Sequence, residues 1–266
     1  MRRLSLTFLI MPRSVNLGSS LLASTMRGWR GSMVEHAARK QPEQPLQLYE
    51  FEASPFCRLV RERLTEMDLD VMIYPCPKGG QRFRPVVKNL GGRQQYPFMV
   101  DPNTGTSLYE SYDIIRYVSE TYEGKSRNPR GLRRRLAVGM GVLSTLSRAL
   151  GGLRGLNARP SKVPAKPLEL FSFESSPYSR PVRELLCELE LPYLLHNTGK
   201  ARMSDIGPPE WRDNWFKAPK GTSRNRSFLE EHTGRVQVPY LIDANTGVEM
   251  YESAKIIAYL EKTYGA

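Results

Sequence analysis

One pattern, written twice, constrains this chain more than any other feature. "LQLYEFEASPFCRLVRERLTEMDL" from Leu46 and "LELFSFESSPYSRPVRELLCELEL" from Leu168 align without a gap at an offset of 122. "YPFMVDPNTGTSLYESYDIIRYVSETY" from Tyr96 and "VPYLIDANTGVEMYESAKIIAYLEKTY" from Val238 align at an offset of 142. A repeat of this length means one folding unit encoded twice, so each reading must hold in both copies. The second copy has 20 further residues between its blocks, around "SDIGPPEWRDNWFKAPKGT". Its Trp211 and Trp215 are expected to cover a neighbour rather than to fill a groove.

Within the first copy the local signals form a consistent series. "LQLYEF" alternates apolar and polar residues and predicts a strand. From Pro55, the residues Val60, Leu64 and Met67 follow helical spacing, and Pro55 is tolerated in a first turn because its missing donor would be unpaired there. "VMIY" predicts a second strand, "QRFRPVVKNLGG" a short helix stopped by Gly91 and Gly92, and "FMVD" with "TSLYE" a hairpin around "PNTG". Ser111 is expected to cap a last helix with Ile114, Ile115 and Val118 as its stripe. The resulting class is α/β: two thioredoxin-like domains, each βαβαββα around a four-stranded mixed sheet. The expected divisions are a leader at 1–45, a first domain at 46–124, a basic linker with one helix at 125–166 and a second domain at 167–266.

The formal net charge is +12, and its location matters more than its size. Residues 1–45 carry 7 Lys+Arg against 2 Asp+Glu, and residues 123–167 carry 11 against 1, which leaves the repeated copies slightly acidic. A nucleic-acid partner is therefore not expected, since a binding domain would carry its own basic face. The first 34 residues hold five arginines, six serines and no acid, the composition of an organelle transit peptide, with a disordered arm as the alternative. No run of 18 apolar residues is present, so a transmembrane helix is not expected. The linker, with Arg133, Arg134 and Arg135 before a glycine-rich apolar run, reads as a solvated face or as a peripheral membrane contact.

Cys57, Cys76 and Cys187 are odd in number, without paired spacing, which argues against a disulfide framework. His36, His196 and His232 stand far apart and show no ligand spacing, so no metal site is expected. Cys57 reads as a low-pKa thiol near a helix N-terminus or as a small buried residue. Cys187 reads as core. Ser54 and Ser176 stand where a helix cap or a ligand-contacting hydroxyl belongs.

Three separated features per copy carry a family resemblance: "SPFC" or "SPYS" at the first helix, Pro97 or Pro239 opening the third strand, and "ES" at Glu110–Ser111 or Glu252–Ser253. Together they resemble the glutathione S-transferase N-terminal domain and its glutaredoxin relatives, here in tandem. The doubled form is similar to plant and algal organelle proteins, which implies a chloroplast before a mitochondrion. The resemblance implies glutathione, or a thiol peptide, as ligand. Pro97 and Pro239 match the family's cis-proline, so the backbone of Tyr96 and Val238 would pair with the cysteinyl part of glutathione. Glu110 with Ser111, and Glu252 with Ser253, match the pair that holds the γ-glutamyl group. Ser54 matches the serine of serine-type transferases, which donates a hydrogen bond to the glutathione thiolate, and Ser176 repeats it. Cys57 would be an auxiliary catalytic thiol.

The chain departs from the family in two respects. No all-helical C-terminal domain follows the first copy, and the second motif has no thiol, with Pro181 expected inside its first helix. Three functional readings follow: a glutathione-dependent transferase or oxidoreductase, a glutathione or thiol-peptide binding module, and a scaffold of two degenerate domains in an organelle. The sequence leaves the oligomeric state open.

Overall fold

The computed structural model describes residues 13–126, 136, 138–144, 154–202, 205 and 223–266. After α1 (Arg13–Met26), the first copy runs β1 (Leu46–Glu50), α2 (Pro55–Glu66), β2 (Val71–Pro75), α3 (Arg84–Gly91), β3 (Phe98–Asp101), β4 (Thr106–Tyr109) and α4 (Ser111–Val118). Helical residues 136 and 138–144 (α5) precede the second copy. That copy runs β5 (Leu168–Ser172), α6 (Arg180–Glu188), β6 (Tyr193–Asn197), α7 (Arg224–Thr233), β7 (Tyr240–Asp243), β8 (Val248–Tyr251) and α8 (Ser253–Tyr264). Trp211, Trp215 and Arg133–Arg135 lie outside the described residues.

Local chemistry explains the boundaries. Pro55 opens α2, with Ser54 as its cap. α6 begins at Arg180, so Pro181 lies inside this helix as expected, but in its first turn, where it removes no needed donor. Ser111 is likewise not the cap of α4: Glu110 holds that position at φ 66°. Each hairpin is tied to the helix after it by a buried aspartate. Asp101 accepts from Asn103 N at 2.8 Å, Tyr117 at 2.7 Å and Tyr122 at 2.6 Å, and Asp243 does the same with Asn245, Tyr259 and Tyr264. Burial alone would raise these carboxyls, but the hydrogen bonds win and hold both below the usual range.

The two copies do not form separate four-stranded sheets. They share one eight-stranded sheet in the order β4-β3-β1-β2-β6-β5-β7-β8. β2 and β6 pair antiparallel with Val71 opposite Leu195, Met72 opposite Leu194 and Ile73 opposite Tyr193. Met72 and Leu194 are equivalent positions of the repeat, so the join is self-complementary, like a two-fold dimer interface within one chain. The physical reason is that each copy alone would end in an apolar edge strand, and pairing the two edges satisfies both. One continuous cluster of buried side chains runs from Leu48, Val60, Leu64 and Ile73 to Leu170, Val182, Leu186 and Leu195.

Across the same pseudo-two-fold, α2 and α6 exchange buried charges. Arg61 Nε donates to Glu174 Oε2 at 2.8 Å, and Arg183 Nη2 donates to Glu52 Oε1 at 2.9 Å. These are repeat-equivalent pairs, and all four side chains are almost fully buried. Burial would raise Glu174, but Arg183, Arg61 and Arg58 overcome it and hold the carboxyl well below its ordinary value. Glu50, a third carboxylate beside Arg61, is pushed up by its burial.

The expected leader at 1–45 is not a separable arm from residue 13 onward, and the linker is its counterpart. Val34 N donates to Lys200 O at 2.8 Å and Lys200 N to Ser32 O, while Ala158 N donates to Lys78 O at 2.9 Å and Lys78 N to Leu156 O. Residues 32 and 34 correspond to 156 and 158 at an offset of 124, so the structural repeat extends upstream of both sequence blocks. Each upstream helix lies on the opposite copy: α1 packs on α6, with Arg180 Nη1 donating to Ser20 O at 2.8 Å, and α5 packs on α2, with Arg58 donating to Ser144 Oγ. Gly31 (φ +69°) and Gly155 (φ +74°) mark the crossings, where an added Cβ would stand 2.9 Å from Glu174 Cβ or Glu52 Cβ. Both the backbone and the close approach require glycine there. Arg27 pairs with Glu62, both buried. The sequence hid this because an N-terminal stretch rich in serine and arginine, with no acid, has the composition of a leader.

Two outcomes follow. Arg183→Ala removes the bidentate partner of Glu52 and one of the arginines on Glu174, leaving Arg61 to serve both carboxylates, and is expected to lower unfolding free energy by about 3 kcal/mol in denaturant titrations. His196, on β6, lies 3.0 Å from Asp70 and 2.7 Å from Glu169, and Asp70 also holds Arg224 and Asn225. Burial opposes its charge, but the two carboxylates win and push it from 6.5 up to about 9. Its stabilisation is thus present in full below the unfolded value and is lost as pH rises through about 9. His196→Gln is expected to flatten stability across that window, read by thermal unfolding at stepped pH.

Candidate functional site

The sheet register assembles the expected residues. Tyr49 pairs with Phe98, and Phe98 with Tyr109, so the end of β1, the start of β3 and the end of β4 lie side by side. The segments just beyond them hold Ser54, the Tyr96–Pro97 peptide and Glu110–Ser111, which the fold therefore gathers at one end of the sheet. The second copy repeats this: Phe171, Tyr240 and Tyr251 are in register, and Ser176, Val238–Pro239 and Glu252–Ser253 follow. Both X-Pro bonds are cis. Because β1 and β5 run in opposite directions through the shared sheet, the two assemblies lie at its opposite ends.

Glu110 (φ 66°) and Glu252 (φ 75°) both have left-handed backbones, a conformation that branched or bulky residues avoid. Both carboxylates are exposed, and each accepts from a glutamine 15 residues upstream: Gln95 for Glu110, and Gln237 for Glu252 at 2.9 Å. Gln95 and Gln237 are themselves repeat-equivalent; that recurrence was the available signal, and the sequence reading passed over it. Each glutamate is followed by the first residue of a helix, Ser111 or Ser253, whose amide has no partner within the helix. An exposed carboxylate beside free amide donors suits a zwitterionic amino-acid end, with ammonium against the glutamate and carboxylate against the helix.

The helix-start residues differ from that exposed pair. Ser54 is 2% exposed and Ser176 1%. Ser54 Oγ accepts from Cys57 N at 3.2 Å. Ser176 Oγ accepts from Ser179 N at 3.2 Å and from Ser179 Oγ at 2.9 Å. Ser54 therefore serves as the cap of α2, while Ser176 holds the turn that precedes α6, whose cap position is Ser179. The Tyr96 ring stands edge-on to Phe51 with centroids 6.2 Å apart, and the Arg84 guanidinium lies 4.9 Å over it.

Cys57 is not the accessible thiol that its place near a helix N-terminus allowed. It is fully buried, and burial, reinforced by the Glu50 carboxylate, pushes the thiol up to about 12. A favourable helix end stabilises a thiolate only where solvent or a counter-charge reaches it, and here desolvation dominates. Cys76 and Cys187 are also buried and pushed up by burial, and all three thiols are free. Among the described residues no cluster of His, Cys, Asp or Glu has the arrangement of a metal site.

The sequence profile described as glutathione S-transferase, N-terminal domain, matches residues 48–126 and 170–266, well over half of the chain. The chain belongs to this family. Membership accounts for the thioredoxin-like order of elements in both copies. Among solved structures, a glutathione transferase of Bombyx mori matches at 30% identity with a TM-score of 0.28, covering 36% of this chain and 44% of that one. The chain thus spans less than half the length of that relative. No curated protein matches.

With every thiol buried, native protein at neutral pH is expected to show almost no rapid reaction with a thiol-specific disulfide reagent, and three reactive thiols after denaturation. Fast native labelling at Cys57 would restore it as a nucleophile.

Proposed function

We propose that the first copy binds glutathione, with the ligand extended along the backbone at Tyr96–Pro97 and its γ-glutamyl end held by Glu110 and the Ser111 amide. The observation that carries this reading is the side-by-side placement of the cis peptide and the left-handed Glu–Ser corner, repeated in both copies. The second copy offers the same elements at Val238–Pro239, Glu252 and Ser253. The reactive sulfur in this reading belongs to glutathione, since the protein offers no accessible thiol. Ser54 stands at the N-terminus of α2, and donation from its hydroxyl to the ligand thiolate is the step that would support transferase or oxidoreductase activity.

A second reading, a binding or scaffold protein without turnover, is favoured by one observation: Ser54 and Ser176 are buried, Ser54 engaged with the first turn of α2 and Ser176 with the turn before α6.

Calorimetry on the full chain tests the first reading. Saturable glutathione binding is expected, weakened by about tenfold or more in Glu110→Ala, the scale of one lost charge-assisted hydrogen bond. Ser54→Ala separates catalysis from capping. Loss of the cap alone lowers stability by about 1 kcal/mol and leaves the bound ligand unchanged. A catalytic hydroxyl also lowers the pKa of the bound thiol, read from the ultraviolet absorbance of the thiolate, and its loss reverses that shift. Absence of glutathione binding to the wild-type chain would leave the scaffold reading.

A further inference from the structure

The two upstream helices are built with their polar side inward. In α1, Ser20 and Ser24 face the protein, where they receive the buried Arg180, and the Ala23 carbonyl receives the Ser144 hydroxyl at 2.7 Å. In α5, Ser144 meets Arg58, Gly141 lies against Pro55, and Val138 packs with Leu59, Tyr112 and Ile115. The opposite sides carry Leu21 and Leu22 on α1, and Leu136, Met140, Val142 and Leu143 on α5, all exposed. These are six of the twelve large apolar side chains exposed among the described residues, on two short helices that touch each other through Ser144 and Ala23. Leu136, Met140 and Leu143 stand four and three residues apart, so they form one outward stripe. An amphipathic helix in a globular protein normally turns that stripe to the core. Here the buried arginines claim the polar side, and the apolar side faces outward.

Charge identifies what covers it. Residues 1–34 hold five arginines and no Asp or Glu, of which Arg27 and Arg30 pair with Glu62 and Glu66, and residues 124–168 hold eleven Lys or Arg and no Asp or Glu, of which Arg159 pairs with Glu188 and Glu261. The outward leucines thus belong to the two acid-free, basic stretches of a chain whose remainder is slightly acidic. A second copy of the chain would set two such cationic faces against each other. An anionic surface with an apolar interior complements both properties at once.

We propose that α1 and α5 together form a docking surface for an anionic phospholipid membrane, lying in its interface without crossing it. Among the described residues no helix is long and apolar enough to span a bilayer. The six apolar side chains enter the headgroup boundary, and the basic sequence around them supplies the electrostatic attraction. The surface is separate from the glutathione reading and stands or falls without it.

Flotation of the full chain with vesicles tests the proposal. Binding is expected to vesicles of equimolar phosphatidylglycerol and phosphatidylcholine, weak binding to phosphatidylcholine alone, and release of most protein at high salt. Leu22→Glu with Leu143→Glu is expected to lower partitioning by roughly tenfold or more while leaving thermal unfolding unchanged. Leu136→Gln with Met140→Gln serves as a second variant should the first lose its fold. Absence of binding to the anionic vesicles overturns the proposal, as does equal binding to both vesicle types or wild-type binding by the folded variants. A dimer in sedimentation velocity that the same substitutions dissolve, without vesicle binding, assigns the surface to a second copy and overturns it as well.

Discussion

The pairing of β2 with β6 is the contact on which the rest of the molecule depends. It converts two exposed edges into the centre of a single sheet, and it fixes α2 against α6 closely enough that Arg61 reaches Glu174 and Arg183 reaches Glu52. Buried ion pairs contribute little net stability compared with apolar packing, but an incorrect partner would leave each of them uncompensated. Their placement therefore specifies which surface of one copy meets which surface of the other. The upstream segments complete the arrangement, since the helix of each lies on the copy it does not precede and the chain then crosses at a glycine to its own copy.

Much of this fold is legible in the residues. The apolar stripes of α2 and α4, the glycine stop after α3, the two hairpins and the positions of Pro97 and Pro239 all follow from period and turn chemistry, and the repeat checks each one twice. The union of the sheets is not legible in the same way. Val71–Ile73 and Tyr193–Leu195 read as ordinary short strands, and the available clue is negative: "VMI" and "YLL" carry no charge of the kind that protects a free edge. The buried arginines mislead for a different reason. Arg58 and Arg61 occupy the positions of a solvated helix face, and only the layer formed by α1 and α5, together with the opposite copy, takes that face out of water.

The candidate site divides along similar lines. Its parts were legible as a recurring set, since Glu–Ser, X-Pro and the serine before proline occur twice at matching positions. Their environments were not. The exposure of Glu110 and Glu252 depends on a backbone corner, and the burial of Ser54 and Cys57 depends on what packs over the start of α2. Cys57 illustrates the point: the same helix end that would activate an exposed thiol surrounds a buried one with low dielectric and a nearby carboxylate.

The antiparallel join has a consequence for any ligand. Two sites created by duplication can work as a pair on one molecule, as two halves of a cleft do. Here the strands of one copy run opposite to those of the other, so the two cis-proline corners face away from each other across the width of the sheet. A thiol held at one corner has no route to a partner held at the other without leaving the protein. Under the proposed glutathione reading the copies would act as independent stations, each able to change its affinity without altering the geometry of the other.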